Sequence, residues 1–138
     1  MQLRRPGMQW NIEVIRTNKY CYINAISNET GERIGKVCID LDSEDATRYN
    51  NIHIGKNTGK IILVSTVPSA CGNGIATSLL NKAIEIFDNY ILYLNVVPLR
   101  RTNKDKDKNE LIKFYSKFGF IKYDGDICTT TMIKFKKY

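Results

Sequence analysis

Residues 67–80 constrain the fold of this 138-residue chain more than any other stretch. The apolar run 61–64 leads into them and predicts a buried strand, and apolar residues recur at helical spacing over 75–86. Between strand and helix lies a short turn that contains Gly72 and Gly74. Helix N-termini expose unpaired N–H groups with partial positive charge, and glycine lets a ligand approach the backbone closely. This order of elements therefore predicts a site for a diphosphate.

Two common phosphate-binding loops do not match this turn. A P-loop requires a lysine directly after its last glycine, and Ile75 follows Gly74. The dinucleotide-binding fingerprint requires a third Gly or Ala where Thr77 stands, and an acidic residue near the end of the next strand, where Asn95 stands. An ordinary strand-to-helix turn remains open as an alternative on this pattern alone.

A second motif lies in residues 109–120, which read Asn-Glu-Leu-Ile-Lys-Phe-Tyr-Ser-Lys-Phe-Gly-Phe. Its Asn, Phe-Tyr and Gly-Phe resemble the closing helix of the GNAT acyltransferase family. The turn is then similar to that family's acyl-CoA pyrophosphate signature, Gln/Arg-x-x-Gly-x-Gly/Ala, with Cys71 in place of the first residue. The two motifs stand in the family's order, and the resemblance spans residues 60–123.

The resemblance implies an α+β fold with a mostly antiparallel central sheet and two main helices, in a single domain over residues 9–138. Residues 1–8 are expected to be a leader. Relatives carry a pair of helices between their first two strands, but here the interval 17–19 has room only for a turn. We therefore expect this helix pair to be absent or reduced.

The resemblance also implies acetyl-CoA as co-substrate and direct transfer of its acetyl group to an amine in a ternary complex. Tyr115 stands where the family has its tyrosine acid, although its helical spacing fits a core stripe as well. Asn109 would bond the cofactor arm or cap the helix, and a backbone N–H near Val67 would polarise the thioester carbonyl. The residues expected to bind the cofactor are Thr66, Val67, Cys71, Gly72, Asn73, Gly74, Ala76, Thr77, Asn109 and Tyr115. The general base stays open among His53, Asp40, Glu44 and water.

Composition narrows the other classes of function. A net charge of +7 favours a polyanionic partner, but the basic run 104–108 alternates with acids and is typical of a solvated loop rather than of a nucleic-acid site. No apolar run approaches about 20 residues, and no secretory signal is visible, so we expect a cytoplasmic protein without membrane contact. Four scattered cysteines and one histidine predict no metal site. A non-catalytic acyl-CoA-binding module and a basic nucleic-acid-binding domain remain alternative functions.

The element pattern also predicts a register. Strands are expected at 12–16, 20–27, 32–41, 51–54, 60–67, 91–96, 120–123 and 130–135, with helices at 74–88 and 109–119, a hairpin turn at 55–59 and one helical turn at 42–48. A four-residue turn at 28–31 would set Ser27 opposite Glu32 and Cys21 opposite Cys38, as reduced thiols in contact. Both faces of this hairpin would then be apolar, which predicts a homodimer.

Overall fold

The computed structural model describes residues 9–41, 57–67, 70, 72–96, 108–123 and 130–135. They form one seven-stranded sheet in the order β1-β2-β3-β4-β5-β7-β6, in which only β4 and β5 pair in parallel. The mostly antiparallel α+β fold with two helices is thus confirmed. The elements are β1 Trp10–Arg16, β2 Tyr20–Ser27, β3 Arg33–Asp40, β4 Thr58–Thr66, α1 Ile75–Ile86, β5 Ile91–Val96, α2 Lys108–Ser116, β6 Ile121–Tyr123 and β7 Thr130–Lys134.

The connection from β1 to β2 is a tight turn, as predicted. The Thr17 N–H donates to the Tyr20 carbonyl at 2.8 Å, which leaves no room for a helix pair between these two strands. The features predicted at 42–48 and 51–54 lie outside the described residues. The turn predicted at 55–59 is wrong at its end, because Gly59 lies within β4. A Cβ at Gly59 would come within 3.2 Å of Ile39 and Leu92, so close packing explains this glycine.

Both helices pack on one face of the sheet, here called the helix face. The apolar stripe of α1 is buried against β2, β3 and β4, and Gly35 permits this contact because a Cβ there would lie 2.6 Å from Ile75 Cγ2. Aromatic residues of α2, including Phe114 and Tyr115, join the same core cluster. The opposite face is called the far face below.

The β2–β3 hairpin contains a bulge that shifts the predicted register. Ser27 does face Glu32, since its N–H donates to the Glu32 carbonyl at 2.9 Å. However, Ala25 pairs with Gly35 and Ile26 with Arg33, so Ile34 is an extra residue on β3. Every later pair is moved by one residue, because a bulge sets two residues of one strand against one of the other.

This shift makes two predictions wrong. Cys21 lies opposite Ile39, and Cys38 lies opposite Tyr22, so the two thiols are on opposite faces and not in contact. Val37 and Ile39 move to the helix face, where they are buried. The far face of these strands is mixed instead of apolar, because Lys36 lies beside Tyr22 there. The homodimer therefore stays a prediction, without the apolar hairpin face on which it was based.

Candidate active site

The sheet opens between β4 and β5. Their parallel pairing runs from Thr58 with Ile91 to Ile61 with Leu94 and ends there, although β4 continues to Thr66 and β5 to Val96. A second bulge lies at Ile62, where this pairing ends: Cys38 pairs with Leu63 and Ile39 with Ile61, so Ile62 has no partner on β3. A bulge bends its strand, and here the bend coincides with the loss of pairing to β5.

The edge of β4 in this opening offers backbone groups at Val64 and Thr66. The Val67 N–H donates to the Ile34 carbonyl at 3.0 Å, so it points toward β3. Because N–H groups alternate sides along a strand, those of Val64 and Thr66 point the other way, into the opening. Since β3 uses the Val67 N–H itself, the backbone N–H groups near Val67 that remain for the predicted role are those of Thr66 and Val64.

The glycine turn ends at α1 and has an open surface. Gly72 and Gly74 adopt φ values of 87° and 76°, and a Cβ at either position would meet no heavy atom within 4 Å. Gly74 is the N-cap residue, and its carbonyl accepts from the Ser78 N–H at 3.0 Å. The N–H groups of Ala76 and Thr77 precede this first helical bond, so they have no intrahelical acceptor. The turn can therefore bind an anion through backbone donors.

One side chain of the predicted set is used within the turn itself. Asn73 Nδ2 donates to the Ala70 carbonyl at 2.9 Å, which fixes the backbone ahead of α1. Asn73 can thus contribute its backbone to a ligand, while its amide stabilises the turn. Cys71 lies outside the described residues.

Tyr115 is half-buried in α2, edge-on to two aromatic rings. Its ring centroid lies 5.3 Å from that of Phe114 and 6.1 Å from that of Phe120. Burial raises the pKa of the Tyr115 phenol above its ordinary value of 10.0, so the hydroxyl keeps its proton at neutral pH. The helix packs on β5 and β6, on the helix face of the sheet.

Asn109 is exposed and lies within the helix. The helix begins at Lys108, so Asn109 is its second residue instead of the predicted N-cap. Its side chain can then reach solvent or a ligand, and Gly119 at φ 95° ends the helical segment as predicted.

The structure brings most of the predicted residues to one end of the sheet. Thr66 ends β4, Val67 follows it, and the turn from Gly72 to Thr77 comes within a few residues. Sequence reasoning missed Val64 and Asn95, which border the opening on β4 and β5. A polar Asn95 inside the apolar run 91–96 was the available signal. No group of metal-ligating side chains occurs within the described ranges, and none of their helices is long and apolar enough to cross a bilayer.

The chain is similar to several proteins of known structure. PaiA N-acetyltransferase from Thermoplasma acidophilum, crystallised with coenzyme A, matches at 20% identity and a TM-score of 0.57, over 87% of this chain and 62% of that one. PH1933 from Pyrococcus horikoshii matches at 20% identity and a TM-score of 0.60, over 85% of this chain and 66% of that one. Arabidopsis thaliana NAA60, crystallised with acetyl-CoA, matches at 17% identity and a TM-score of 0.60, over 86% of this chain and 77% of that one.

The chain thus spans slightly less than two thirds of the first and second of these proteins, and likenesses at such identities show a common fold. No curated protein sequence matches the chain. The family model described as the acetyltransferase (GNAT) family matches residues 3–120, which is most of the sequence. The chain belongs to the GNAT acetyltransferase family.

Proposed function

We propose that this protein is an N-acetyltransferase that moves the acetyl group of acetyl-CoA to an amine by direct transfer in a ternary complex. The observation that carries the proposal is the opening between β4 and β5, which lies just before the glycine turn at the start of α1. An exposed strand edge followed by a bare helix N-terminus fits a ligand that joins an amide-containing arm to a diphosphate.

The cofactor would lie along three features. Its diphosphate would bind the N–H groups from Gly72 to Thr77, favoured by the helix dipole and the net charge of +7. Its amide arm would pair with Val64 and Thr66. Its thioester would then sit near the point where β4 and β5 part. Structures of two relatives with coenzyme A or acetyl-CoA support this choice of cofactor.

The transfer would need one base and one acid. The neutral amine nitrogen attacks the thioester carbon, the carbon–sulfur bond breaks, and the surplus amine proton leaves through water. Tyr115 would donate its proton to the departing thiolate and regain one from solvent. Its raised pKa supports this role, because the phenol is fully protonated in the working pH range.

Two variants of Gly74 that differ in charge test the cofactor site. Asp and Asn both tolerate positive φ and the N-cap position, so Gly74→Asp and Gly74→Asn differ mainly in charge. We expect Gly74→Asp to weaken CoA binding by about 2 kcal/mol relative to Gly74→Asn, roughly 30-fold in Kd, because its carboxylate would face the diphosphate. Titration calorimetry measures both. Equal affinities of the two variants would refute the site.

A panel of amines tests catalysis. Release of free thiol from acetyl-CoA in the presence of small amines, peptides and basic proteins would identify the acceptor class. Binding of CoA without thiol release would favour the non-catalytic alternative. A protein whose melting temperature responds to nucleic acid and not to CoA would favour the nucleic-acid-binding alternative.

The proposal also places the reaction in the cytoplasm. Cys21 and Cys38 are buried free thiols, which is the state that cysteines keep in a reducing compartment. Fractionation of cells that express the full chain would test this location.

A further inference from the structure

Asn95 stands at the point where β5 loses contact with β4. Leu94 is the last residue of β5 that pairs with β4, and Asn95 is the next. On the other side of β5, Asn95 pairs with Thr131 of β7. Because Leu94 faces the helix side, Asn95 and Thr131 both project from the far face.

The carboxamide of Asn95 is held in one orientation. Thr131 Oγ1 donates to Asn95 Oδ1 at 2.9 Å, and Thr131 is completely buried. This bond turns Oδ1 toward β7. The oxygen and nitrogen of a carboxamide diverge from the same carbon, so Nδ2 points away from β7, and β4 is the neighbouring strand on that other side.

The carboxamide nitrogen of Asn95 can donate to a ligand. Within the described part of the chain, Nδ2 has no hydrogen-bond acceptor. A carboxamide nitrogen carries two donors and no charge, so its donor capacity does not change with pH. Across the opening, the N–H groups of Val64 and Thr66 point away from β3, toward β5. Both strands that border the opening therefore carry donors.

We propose that Asn95 is a further catalytic residue, whose Nδ2 donates to the thioester oxygen from the β5 side and so completes an oxyanion site with the β4 backbone. This inference rests on the proposed function. When the amine attacks the carbonyl carbon, the electron pair of the C=O bond moves to the oxygen. The developing negative charge would be stabilised by Nδ2 until the carbon–sulfur bond breaks and the C=O bond returns.

Thr131 acts as a positioning residue in this arrangement. Its hydroxyl occupies Oδ1, which prevents the carboxamide from rotating and keeps the nitrogen toward β4. A donor that is already oriented needs no reorganisation in the transition state, which is the condition under which such hydrogen bonds accelerate a reaction.

Asn95→Asp separates this role from a purely structural one. The aspartate keeps an acceptor for the Thr131 hydroxyl but replaces the NH₂ donor with an oxygen. If Asn95 served only to bond Thr131, this variant would keep that bond, and its added charge would weaken the binding of anionic CoA along with kcat. We expect kcat to fall by about 10²- to 10³-fold, the usual effect of removing one oxyanion donor. The Kd of CoA, which has no carbonyl at this position, should stay within about twofold by the same reasoning.

Binding of acetyl-CoA provides a second readout that needs no turnover. The wild-type protein should bind acetyl-CoA more tightly than CoA, and Asn95→Asp should abolish this preference. Asn11→Asp is the matched control, because Asn11 also lies on the far face but on edge strand β1, where its amide bonds Asn28 at 2.7 Å. This control should behave like the wild type. Thr131→Ser should retain activity that Thr131→Val loses.

The outcomes distinguish this inference from the proposed function. A wild-type protein that binds neither CoA nor acetyl-CoA would overturn both. If the wild type binds CoA, an Asn95→Asp variant with an unchanged acetyl-CoA preference, or with kcat within twofold of the wild type, would overturn the role of Asn95 alone.

Discussion

The sheet contains two bulges that differ in their consequences. At the first, Ile34 is an extra residue on β3, its side chain is only 6% exposed, and its carbonyl accepts the Val67 N–H. At the second, Ile62 is an extra residue on β4, its side chain is 48% exposed, and pairing with β5 ends beside it.

The difference shows what decides whether an irregular strand becomes a site. The first bulge is closed, because the core takes up its side chain and β4 takes up its carbonyl. The second bulge bends β4 at the point where its pairing with β5 ends, so the backbone donors of β4 on that side remain available. We therefore expect changes near Ile34 to affect folding, and changes around the opening at Ile62 to affect ligand binding and turnover.

The largest effect is expected at Tyr115 of α2. Tyr115→Phe removes only the hydroxyl, so the aromatic packing with Phe114 and Phe120 is retained. If Tyr115 is the general acid, this variant should lower kcat by about 10²- to 10⁴-fold and leave the Kd of CoA unchanged. Stopped thiol-release assays measure this. A kcat within twofold of the wild type would assign Tyr115 to the core alone.

The raised pKa of Tyr115 sets the direction of its pH dependence. Burial favours the protonated phenol, so its contribution to stability is present below the ordinary value of 10.0 and is lost as pH rises through the raised pKa. No alkaline decline of kcat caused by Tyr115 is expected below pH 10. A decline that is present in the wild type and missing in Tyr115→Phe at pH 8–9 would contradict this.

The two bulges can be compared directly by alanine substitution. Ile34→Ala should lower the free energy of unfolding by about 2–5 kcal/mol, because it empties a buried site. Ile62→Ala removes the same atoms from an exposed position and should change it by about 0.5 kcal/mol or less. Urea denaturation measures both. Equal losses would show that the second bulge is as closed as the first.

The sequence predicted the elements better than their registration. The bounds of β2 and β5 agree with prediction, since each is a short, mostly apolar run between turn residues. Neither bulge was predicted. Around Ile62 all neighbours are apolar, so an added residue does not disturb any visible alternation. Near Ile34 a signal did exist, because an isolated glycine such as Gly35 inside a strand often marks a bulge.

The candidate site divides in the same way. The glycine turn could be predicted because its chemistry is local: the glycines and the helix they precede are adjacent in sequence. Which backbone N–H of β4 faces the opening could not be predicted. Whether Val67 or Val64 points into the opening depends on the β3–β4 register, and that register depends on the bulge at Ile62.

Deletion of Ile62 would test whether the bulge causes the opening. The deletion leaves the pairs Ile61–Ile39 and Leu63–Cys38 in a regular ladder. It would also let β4 extend its pairing with β5, with Leu63 beside Asn95 on the far face and Val64 beside Val96 on the helix face. We expect the fold to be retained and the Kd of CoA to rise roughly 100-fold, about 2.7 kcal/mol. Ile62→Ala, which keeps the bulge, should bind CoA normally, and an unchanged Kd in the deletion variant would separate the opening from the bulge.

The smallest effect concerns the closed bulge and the two thiols whose positions it sets. With Ile34 inserted, Cys21 and Cys38 project from opposite faces of the sheet, whereas a disulfide requires Cβ atoms about 3.5–4.5 Å apart on one side. Burial raises the pKa of both thiols above 9.0, so little reactive thiolate is present at neutral pH. The neutral thiols contribute to stability below pH 9.0, and this contribution is lost as pH rises through the raised pKa values.

We expect the native protein to label slowly at both cysteines, and a mild oxidant to form no bond between them. Peptide mass mapping after alkylation measures both results, and labelling in urea, where every cysteine should react, is the control. A peptide linking Cys21 to Cys38 would show that the hairpin can adopt the register without the bulge.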